Sequence, residues 1–449
     1  MLRIKKYAVP MLAATMSMSL ILAGCGSNTE EKTVVEASPA ATDWKTVKAD
    51  IRFIFPGTSE AEKILAEQFK SRMKEKYPGV NIEYMYLSWQ DMEKKLSIML
   101  ASNDFPDMTM TQDVTNLVQM NGLEDLSPYI GRKGTSLKKD DFLPGTLEYS
   151  MVGDKIYSIP NLANSFTLMV NEKMLNNAGM KLEQLQTWAD VEKAAQLMTK
   201  DGKYGYGYPL GVARFAFRGP FTAAYSNGLL LNDTTEAGKK KYLETLEHFK
   251  KLEAYQPKAH TTWGAPEAFR AFSNEEVGMT PAGTYFSANT YSINPEILKV
   301  TRAIAYPKGP SGDKAQAPVS SVGVGMFKGS KNKEIVWKLM EEWSSPEFNT
   351  TQAATINVTA VKTASLDEIV KKAEAVFPKS IDGHKRILQD MNSILAKNGV
   401  QMATIVGQPE METVFQEQMT KYLLDKITTE EAYQAIKDGI DKVKDKYKK

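Results

Sequence analysis

The pattern of hydrophobic and polar positions alternates between strand and helix over the first part of the chain. Residues 51–55 are rich in β-branched and aromatic side chains and predict a strand. Apolar residues then recur about every fourth position over residues 59–77, which predicts a helix. Further strands are predicted over residues 80–87 and 108–111, with a second helix between them. This alternation favours a parallel sheet covered by helices.

The rest of the chain keeps both kinds of element but spaces the strands further apart. Strands are predicted over residues 155–160, 167–171, 277–280, 302–306 and 322–327. Helices are predicted over residues 188–200, 237–252, 266–272 and 333–344, and the last part of the chain is mostly amphipathic helix. A chain of 449 residues is long enough for two or three domains of this kind.

The N-terminus has the pattern of a secretory signal. Three basic residues precede an apolar stretch over residues 7–23, which is shorter than the roughly 20 residues of a membrane span. The stretch ends in Leu-Ala-Gly followed by Cys25, the only cysteine, and this resembles a bacterial lipobox. The resemblance implies a signal peptide over residues 1–24 and a lipid on Cys25. Residues 25–50 lack a packing period and are interpreted as a flexible tether.

Composition and charge exclude some classes of partner. Hydrophobic residues make up 42% of the chain and charged residues 24%, as in ordinary globular proteins. The net charge is +2, and removal of the three basic residues of the signal leaves about −1. This balance argues against a nucleic-acid partner, which would require a basic face. One cysteine cannot form an internal disulfide, so the core depends on packing.

Motifs for cofactor or metal chemistry are weak. The three histidines are far apart and lack metal-ligand spacing. Gly205 to Gly211 holds several glycines, but the spacing, the intervening proline and the preceding helix do not suit a dinucleotide loop. We therefore predict no metal, no cofactor and no catalytic residue. A pair of carboxylates for glycoside hydrolysis stays open, because their spacing is set by the fold and not by the sequence.

Aromatic and amide side chains in segments between the predicted elements offer a different chemistry. Trp263, Tyr285 and Phe217 lie in such segments, and Arg218 follows the last of them. A pyranose packs its C–H face on an aromatic ring and offers hydroxyls to planar donors and acceptors. These residues favour a saccharide site, although each ring could equally fill a gap in the core.

Several segments together resemble the family 1 extracellular solute-binding proteins, the capture subunits of bacterial ABC importers for oligosaccharides. The resemblance covers about residues 51–449 and depends on the order and spacing of motifs that are loose when taken singly. They are Phe-Pro-Asp-Met at 105–108, Gly-Leu-Glu-Asp-Leu-Ser-Pro-Tyr at 122–129, Gly-Asp-Lys-Ile-Tyr-Ser-Ile-Pro at 153–160, Val-Asn-Glu-Lys at 170–173, Ala-Gly at 178–179, Thr-Trp at 187–188, Lys-Asp-Gly-Lys-Tyr-Gly-Tyr-Gly at 200–207 and the segment 272–283.

The resemblance implies an α/β, two-lobed periplasmic-binding-protein fold of type II, with a hinge and a ligand cleft between the lobes. The N-terminal lobe would comprise residues 51–163 and 325–362, and the C-terminal lobe residues 164–324 and 363–449. Ligand would bind where strands end, since a cleft opens there. The candidate ligand-binding residues are Thr58, Ser59, Glu60, Thr111, Gln112, Asp113, Asn164, Phe217, Arg218, Trp263 and Tyr285.

The implied function is capture of an oligosaccharide by lobe closure and delivery to the permease subunits of an ABC importer. The protein would be a monomer, held by its lipid at the extracellular face of a bacterial membrane, without enzymatic activity. Alternatives keep the fold but bind a peptide, a polyamine or another small solute, or act as a sensor. A lipid-anchored glycoside hydrolase is the remaining alternative.

Overall fold

The computed structural model describes residues 43–57, 60–143, 145–355, 358–362 and 365–448. The strands are β1 Ala49–Pro56, β2 Val80–Leu87, β3 Met108–Thr111, β4 Met151–Val152, β5 Lys155–Ile156, β6 Ile159–Asn171, β7 Met279–Gly283, β8 Thr301–Ile304, β9 Ala317–Met326, β10 Val358–Thr359 and β11 Gly399–Gln401. Cys25 and the predicted signal peptide lie outside the described residues, so the lipid anchor stays a prediction.

The helices alternate with these strands along the chain. They are α1 Glu60–Lys76, α2 Trp89–Ala101, α3 Thr115–Gln119, α4 Glu172–Asn177, α5 Trp188–Met198, α6 Ala213–Ser226, α7 Glu236–Glu253, α8 Ala265–Ser273, α9 Phe286–Tyr291, α10 Lys333–Trp343, α11 Pro346–Thr355, α12 Leu366–Val376, α13 Ile381–Asn398, α14 Gln408–Leu423 and α15 Thr429–Tyr447. Short 3₁₀ helices lie at Lys139–Asp141, Glu148–Ser150, Leu182–Gln184, Lys258–Thr262 and Pro295–Lys299.

The first lobe, called the N-lobe below, is built on a sheet in the order β2-β1-β3-β9-β6-β10. β1 is parallel to β2 and β3, as the alternating pattern predicts, whereas β9 returns antiparallel to β3. The core is aromatic: Phe53 and Phe55 of β1 both meet the ring of Trp343 edge-on, at 5.7 and 5.6 Å between centroids. Trp343 ends α10, so the helix after β9 is fixed against the strand at the start of the lobe.

The second lobe, the C-lobe, uses the far ends of β6 and β9. β7 and β8 pair antiparallel with β6 from Phe166 onward, and β11 pairs parallel with β9 over Ala317–Val319. Helices cover this sheet, and α14 packs on α6 through Phe415, which meets Phe217 and Phe221. Arg302 of β8 is held by Asp390 of α13 through two hydrogen bonds, at 2.8 and 2.9 Å.

β6 and β9 therefore run through both lobes and form the hinge. They pair antiparallel with each other from Ile159↔Val324 to Ser165↔Val319. The backbone carbonyl of Asn161, in the middle of this crossing, accepts hydrogen bonds from Ala360 N at 3.1 Å and from the Asn349 side chain. A fully buried polar cluster thus fixes the hinge strand to α11 and to the segment after it.

Three boundaries differ from the prediction. β1 begins at Ala49, and Trp44 packs against the N-lobe core, so the predicted tether does not extend to residue 50. β9 joins β3 from Gly323, which is earlier than the predicted boundary at residue 325. The prediction assigns α12 to the C-lobe, but the helix packs chiefly on α11 of the N-lobe, with its apolar residues Ile369 and Ala373 buried.

Candidate functional site

The N-lobe wall of the cleft is made where parallel strands end. β2 ends at Leu87, and Ser88 caps α2 by accepting a hydrogen bond from Asp91 N at 3.0 Å. This cap places Trp89 at the first position of the helix, at the edge of the cleft. Its indole Nε1 donates to Glu62 Oε1 at 3.1 Å. Gln112 and Asp113 follow β3 at the same edge of the sheet.

The C-lobe wall is made chiefly by one face of α6. Arg214 and Arg218 are four residues apart, so they lie on the same face of the helix, and Phe215 joins them. Tyr285 follows β7, and its ring meets Phe269 edge-on at 6.0 Å between centroids. Arg218 also lies over the ring of Phe166, with its guanidinium carbon 5.0 Å from the centroid.

A hydrogen bond between the lobes divides the cleft. Arg218 Nη2 donates to Gln112 Oε1 at 3.0 Å. On one side lies a compartment of about 320 Å³, which we name the outer compartment, and on the other a compartment of about 260 Å³, which we name the inner compartment; the two names do not describe depth. The outer compartment is lined by Phe55, Glu62, Trp89, Asn161, Asn164, Phe215, Phe269, Tyr285 and Asn289, among others. The inner compartment is lined by Thr111, Asp113, Tyr149, Arg214, Gln408, Glu412 and Thr413, among others.

The inner compartment contains two carboxylates and two arginines. Burial raises the pKa of Asp113, although Thr115 donates to it from N at 2.8 Å and from Oγ1 at 2.6 Å. Burial also raises the pKa of Glu412, which accepts a hydrogen bond from Gln408 Nε2 at 2.8 Å. Arg214 and Arg218 act against both shifts, because a nearby positive charge favours the ionised carboxylate.

Six of the residues predicted from the sequence line these compartments: Thr111, Gln112, Asp113, Asn164, Arg218 and Tyr285. The hydroxyl of Thr111 lies 2.5 Å from Ser158 Oγ, and Asn164 Oδ1 accepts from Thr284 Oγ1 at 3.2 Å. With Asp113, which accepts from Thr115, three of the six therefore also have structural hydrogen bonds within their own lobe or hinge. That any of them contacts ligand stays a prediction.

Two predicted residues are elsewhere. Phe217 is buried in the C-lobe core, 4.2 Å from Phe221 between ring centroids. Its segment is helix α6 and not a loop, so a ring one position before Arg218 points to another face. Trp263 lines neither compartment; it follows a 3₁₀ helix and packs beside Gly207. Thr58 and Ser59 lie outside the described residues, and Glu60 is the first residue of α1.

The list of candidate ligand-binding residues lacks Trp89, Phe215, Phe269, Gln408 and Glu412, which all line the cleft. The sequence contains a signal for two of these residues. Ser88 followed by an acidic residue at 91 is typical of the start of a helix, which would have Trp89 as its first residue. The four-residue spacing of Arg214 and Arg218 indicates one face of a helix, and Phe215 lies beside that face. Gln408 and Glu412 come from a helix far along the chain. Their position depends on tertiary packing that no local pattern shows.

The arrangement can hold a solute between the two lobes. Within the described part of the chain, no three His, Cys, Asp or Glu side chains are grouped as a metal site would require. Over the same residues, none of the helices has both the length and the apolar character needed to cross a membrane. Two lobes on shared hinge strands, with a polar and aromatic cleft between them, define a protein that binds a solute by closing around it.

Comparison with known proteins agrees with this class. A profile described as bacterial extracellular solute-binding protein matches residues 56–350, and the chain belongs to that family. A protein of Brucella abortus named only as a binding protein is 23% identical over 283 residues, which cover 61% of this chain and 67% of that one. The family and the two-lobed fold predicted from the sequence are thereby confirmed.

Two further relatives carry named ligands. The arabinooligosaccharide-binding protein of Bacillus subtilis is 24% identical over 259 residues, or 54% of each chain. A maltose-bound protein of T. maritima has a similar structure, with a TM-score of 0.71 at 18% identity, covering 88% of this chain and 99% of that one. At this identity the structural likeness establishes the fold.

Proposed function

We propose that this protein captures a saccharide in its interlobe cleft and delivers it to the permease of an ABC importer. The observation that carries the proposal is the lining of the cleft. Trp89, Phe215, Phe269 and Tyr285 offer ring faces, and Gln112, Asp113 and Arg218 offer planar polar groups beside them. A sugar presents both an apolar C–H face and hydroxyls, and this combination matches it.

The named relatives support the same ligand class. Proteins that bind arabinooligosaccharides and maltose share the family or the fold, and a relative in Streptococcus pneumoniae is named as a carbohydrate ABC transporter substrate-binding protein. In the proposed cycle a sugar docks on one lobe and closure adds contacts from the other. The ligand favours the closed form only to the extent that it binds that form more tightly.

The proposal includes a location and an anchor. The lipobox-like sequence before Cys25 would place a lipid on that cysteine and hold a monomeric protein at the outer face of the membrane. Replacing Cys25 with Ser should release the protein from the membrane fraction into the medium and abolish labelling with radioactive palmitate. Retention of both membrane association and label in the variant would contradict the anchor.

A thermal-shift screen tests the ligand class. Residues 26–449 are screened against glucose, maltose, arabinose and their longer oligosaccharides, with amino acids, short peptides and polyamines as controls. A ligand at a hundred times its dissociation constant adds about 2.7 kcal/mol of stability, which raises the melting temperature by several degrees. A rise with a control class and none with any saccharide would overturn the saccharide assignment while leaving a solute-binding protein.

The same samples test the absence of catalysis. Asp113 and Glu412 are two carboxylates in one compartment, so the question of hydrolysis is a concrete one. We expect any bound oligosaccharide to be recovered intact after prolonged incubation, as judged by chromatography. Shorter products that disappear in an Asp113→Asn variant would identify a hydrolase instead.

A further inference from the structure

The charged side chains of the inner compartment balance one another. Its lining combines Arg214 and Arg218 of α6 with Asp113 of the N-lobe and Glu412 of α14, two positive charges with two negative ones. Burial raises the pKa of both carboxyls, which favours their neutral form. The side chains alone therefore make the compartment neutral or slightly positive.

Two helix N-termini add to the positive side of this balance. α6 and α14 both begin at the inner compartment, which the first residues of each helix line. A helix N-terminus acts as about half a positive charge, because its first N–H groups have no partner in the helix. Val212 and Gly407, which precede these helices, have no side-chain acceptor to cap them, whereas α2 is capped by Ser88 and carries Asp91 in its first turn. The compartment thus has an excess of about one positive charge.

Arg214 occupies a position that helices disfavour for a cation. It is the second residue of α6, where the helix favours a negative side chain, and the first turn of α6 contains no acidic residue. Arg218 lies one turn further along the same face. Two guanidinium groups beside a helix N-terminus suit an anion, since both the forked donors and the helix end favour negative charge.

Two polar atoms at the inner compartment have no hydrogen-bond partner among the described residues. Gln408 is 5% exposed; its Nε2 donates to Glu412, but its Oε1 has no partner. Arg218 donates from Nη2 to Gln112, whereas its Nε is buried and without a partner. Such groups are costly when buried unless something satisfies them. A sugar that carries a carboxylate satisfies both, because the carboxylate accepts from Arg218 and a hydroxyl donates to Gln408.

We propose that the inner compartment binds the carboxylate of a uronic acid, so that the saccharide captured by this protein is an acidic one. The carboxylate accepts hydrogen bonds from Arg214 and Arg218, and a neighbouring hydroxyl donates to Gln408. A carboxylate carries one negative charge, which matches the excess in the compartment, whereas a phosphate monoester carries nearly two. This inference rests on the proposed function, because it names the chemical class of the saccharide.

Matched pairs of sugars test the charge of the ligand. Binding of glucuronate, galacturonate and mannuronate is compared with binding of glucose, galactose and mannose by titration calorimetry on the full chain, both as monosaccharides and as trisaccharides. The members of a pair differ only in carboxylate against hydroxymethyl. We expect the preferred uronate to bind at least about tenfold more tightly than its neutral counterpart. Glucose 6-phosphate serves as the anion with more than one charge.

Arg214→Gln removes one positive charge and keeps a polar side chain. It should lower the affinity for the preferred uronate by about tenfold or more, and the affinity for the neutral counterpart by no more than about threefold. Arg214→Lys keeps the charge and should restore part of the preference for the uronate. Arg270→Gln is the matched control, since it makes the same substitution at an exposed position of α8 that lines neither compartment.

Glu412→Gln should act in the opposite direction. It removes a negative charge from the compartment, so the affinity for the uronate should rise by about threefold or more, without a rise for the neutral counterpart. A misfolded protein would not bind more tightly. This variant therefore decides the question even if Arg214→Gln does not fold, and an unchanged or lower preference for the uronate would contradict the proposed site.

The outcomes separate this inference from the proposed function. If a neutral sugar binds as tightly as its uronate, or if Arg214→Gln weakens both equally, the carboxylate site is wrong and the saccharide function stands. If glucose 6-phosphate binds more tightly than glucuronate, the assignment of a single negative charge is wrong. If none of these sugars binds to the wild-type protein, both proposals fail.

Discussion

Two arginines of the C-lobe lie in regions that use the same side chain in different ways. Arg302, at the contact between β8 and α13, is surrounded by acceptors: Asp390 takes hydrogen bonds from Nε and Nη2, and Glu172 takes one from Nη1 at 3.3 Å. These carboxylates raise the pKa of Arg302. Arg218, at the cleft, has one hydrogen bond to the opposite lobe and a buried Nε without a partner in the described structure.

The difference separates a structural group from a binding group. Bidentate pairing of a guanidinium with a carboxylate fixes both side chains, so Arg302 has little left to offer a ligand. Arg218 holds the two lobes through a single neutral acceptor, and it can exchange that partner for a ligand without leaving a carboxylate unpaired. We therefore expect Arg302 to contribute to the stability of the fold and Arg218 to contribute to the binding of a ligand in the cleft.

An unpartnered polar group does not by itself mark a site. His384, on α13, is 4% exposed, and neither of its ring nitrogens has a partner among the described residues. Its ring stacks on Phe377 at 3.9 Å between centroids, and it lines neither compartment of the cleft. Here the missing partners cost stability only. The distinguishing feature of Arg218 and Gln408 is that they line a cavity that a ligand can enter.

The largest effect should come from Arg218→Ala. The substitution removes a charged donor from both compartments and leaves Asp113 and Glu412 with less compensating charge, so their pKa values should rise further. A hydrogen bond to a charged group contributes about 1.5–3 kcal/mol, so saccharide affinity in calorimetry should fall about 10- to 100-fold. The matched control is Arg132→Ala, which breaks a surface ion pair with Glu334. Equal affinities for all three proteins would remove Arg218 from the site.

Arg302→Ala should affect stability and not binding. The substitution leaves Asp390, whose side chain is 14% exposed, without its cation, at a cost of about 2 kcal/mol. The melting temperature should fall by several degrees, and the affinity for saccharide should stay within twofold of the wild-type value. A large loss of affinity with unchanged melting would reverse the comparison between the two arginines.

His384 should make stability depend on pH. Burial lowers its pKa to about 3, while the unfolded chain should titrate near 6.5. Below about pH 6.5 the unfolded state binds a proton that the folded state does not, so stability falls as the pH falls. The loss at pH 5.5 is about 1.4 kcal/mol, and His384→Leu should remove it. Denaturant titrations at pH 7.5 and 5.5 measure this difference, and an unchanged pH slope in the variant would contradict it.

The smallest effect should separate two aromatic residues that the sequence could not distinguish. Tyr285→Ala should weaken oligosaccharide binding by about 1 kcal/mol, or about fivefold, since it removes a stacking surface. Trp263→Ala should change affinity by less than twofold, because Trp263 lines neither compartment. Calorimetry on both variants with the same trisaccharide provides the measurement. A greater loss in Trp263→Ala would place the stacking surface outside the cleft described above.

Much of the fold follows from local patterns. The pattern of apolar residues repeats every 2 residues in a strand and about every 3.6 residues in a helix. This difference predicts the strands at the start of the chain, the helices α1, α5, α7 and α10, and the crossing strand β9. The error at Phe217 also has a local cause. The segment before Gly219-Pro220 was interpreted as a loop, yet α6 continues through both residues.

Part of the cleft was predictable because its residues follow strands. Gln112 and Asp113 come directly after β3, and Tyr285 comes soon after β7, so position along the chain indicates position in space. Gln408 and Glu412 reach the cleft because α14 packs on α6, far away in sequence. The hydrogen bond between Gln112 and Arg218 depends on how far the lobes are closed, which no sequence pattern contains.

The path of the hinge strands also sets the order in which the protein can be assembled during synthesis. β3 is made early, but of its two neighbours in the sheet, β1 and β9, the second follows a large part of the C-lobe along the chain. Until β9 has been synthesised, β3 and the N-lobe end of β6 expose unpaired edges, and such long-range pairing is intrinsically slow. The N-lobe sheet therefore cannot be completed until most of the length of the chain has been made.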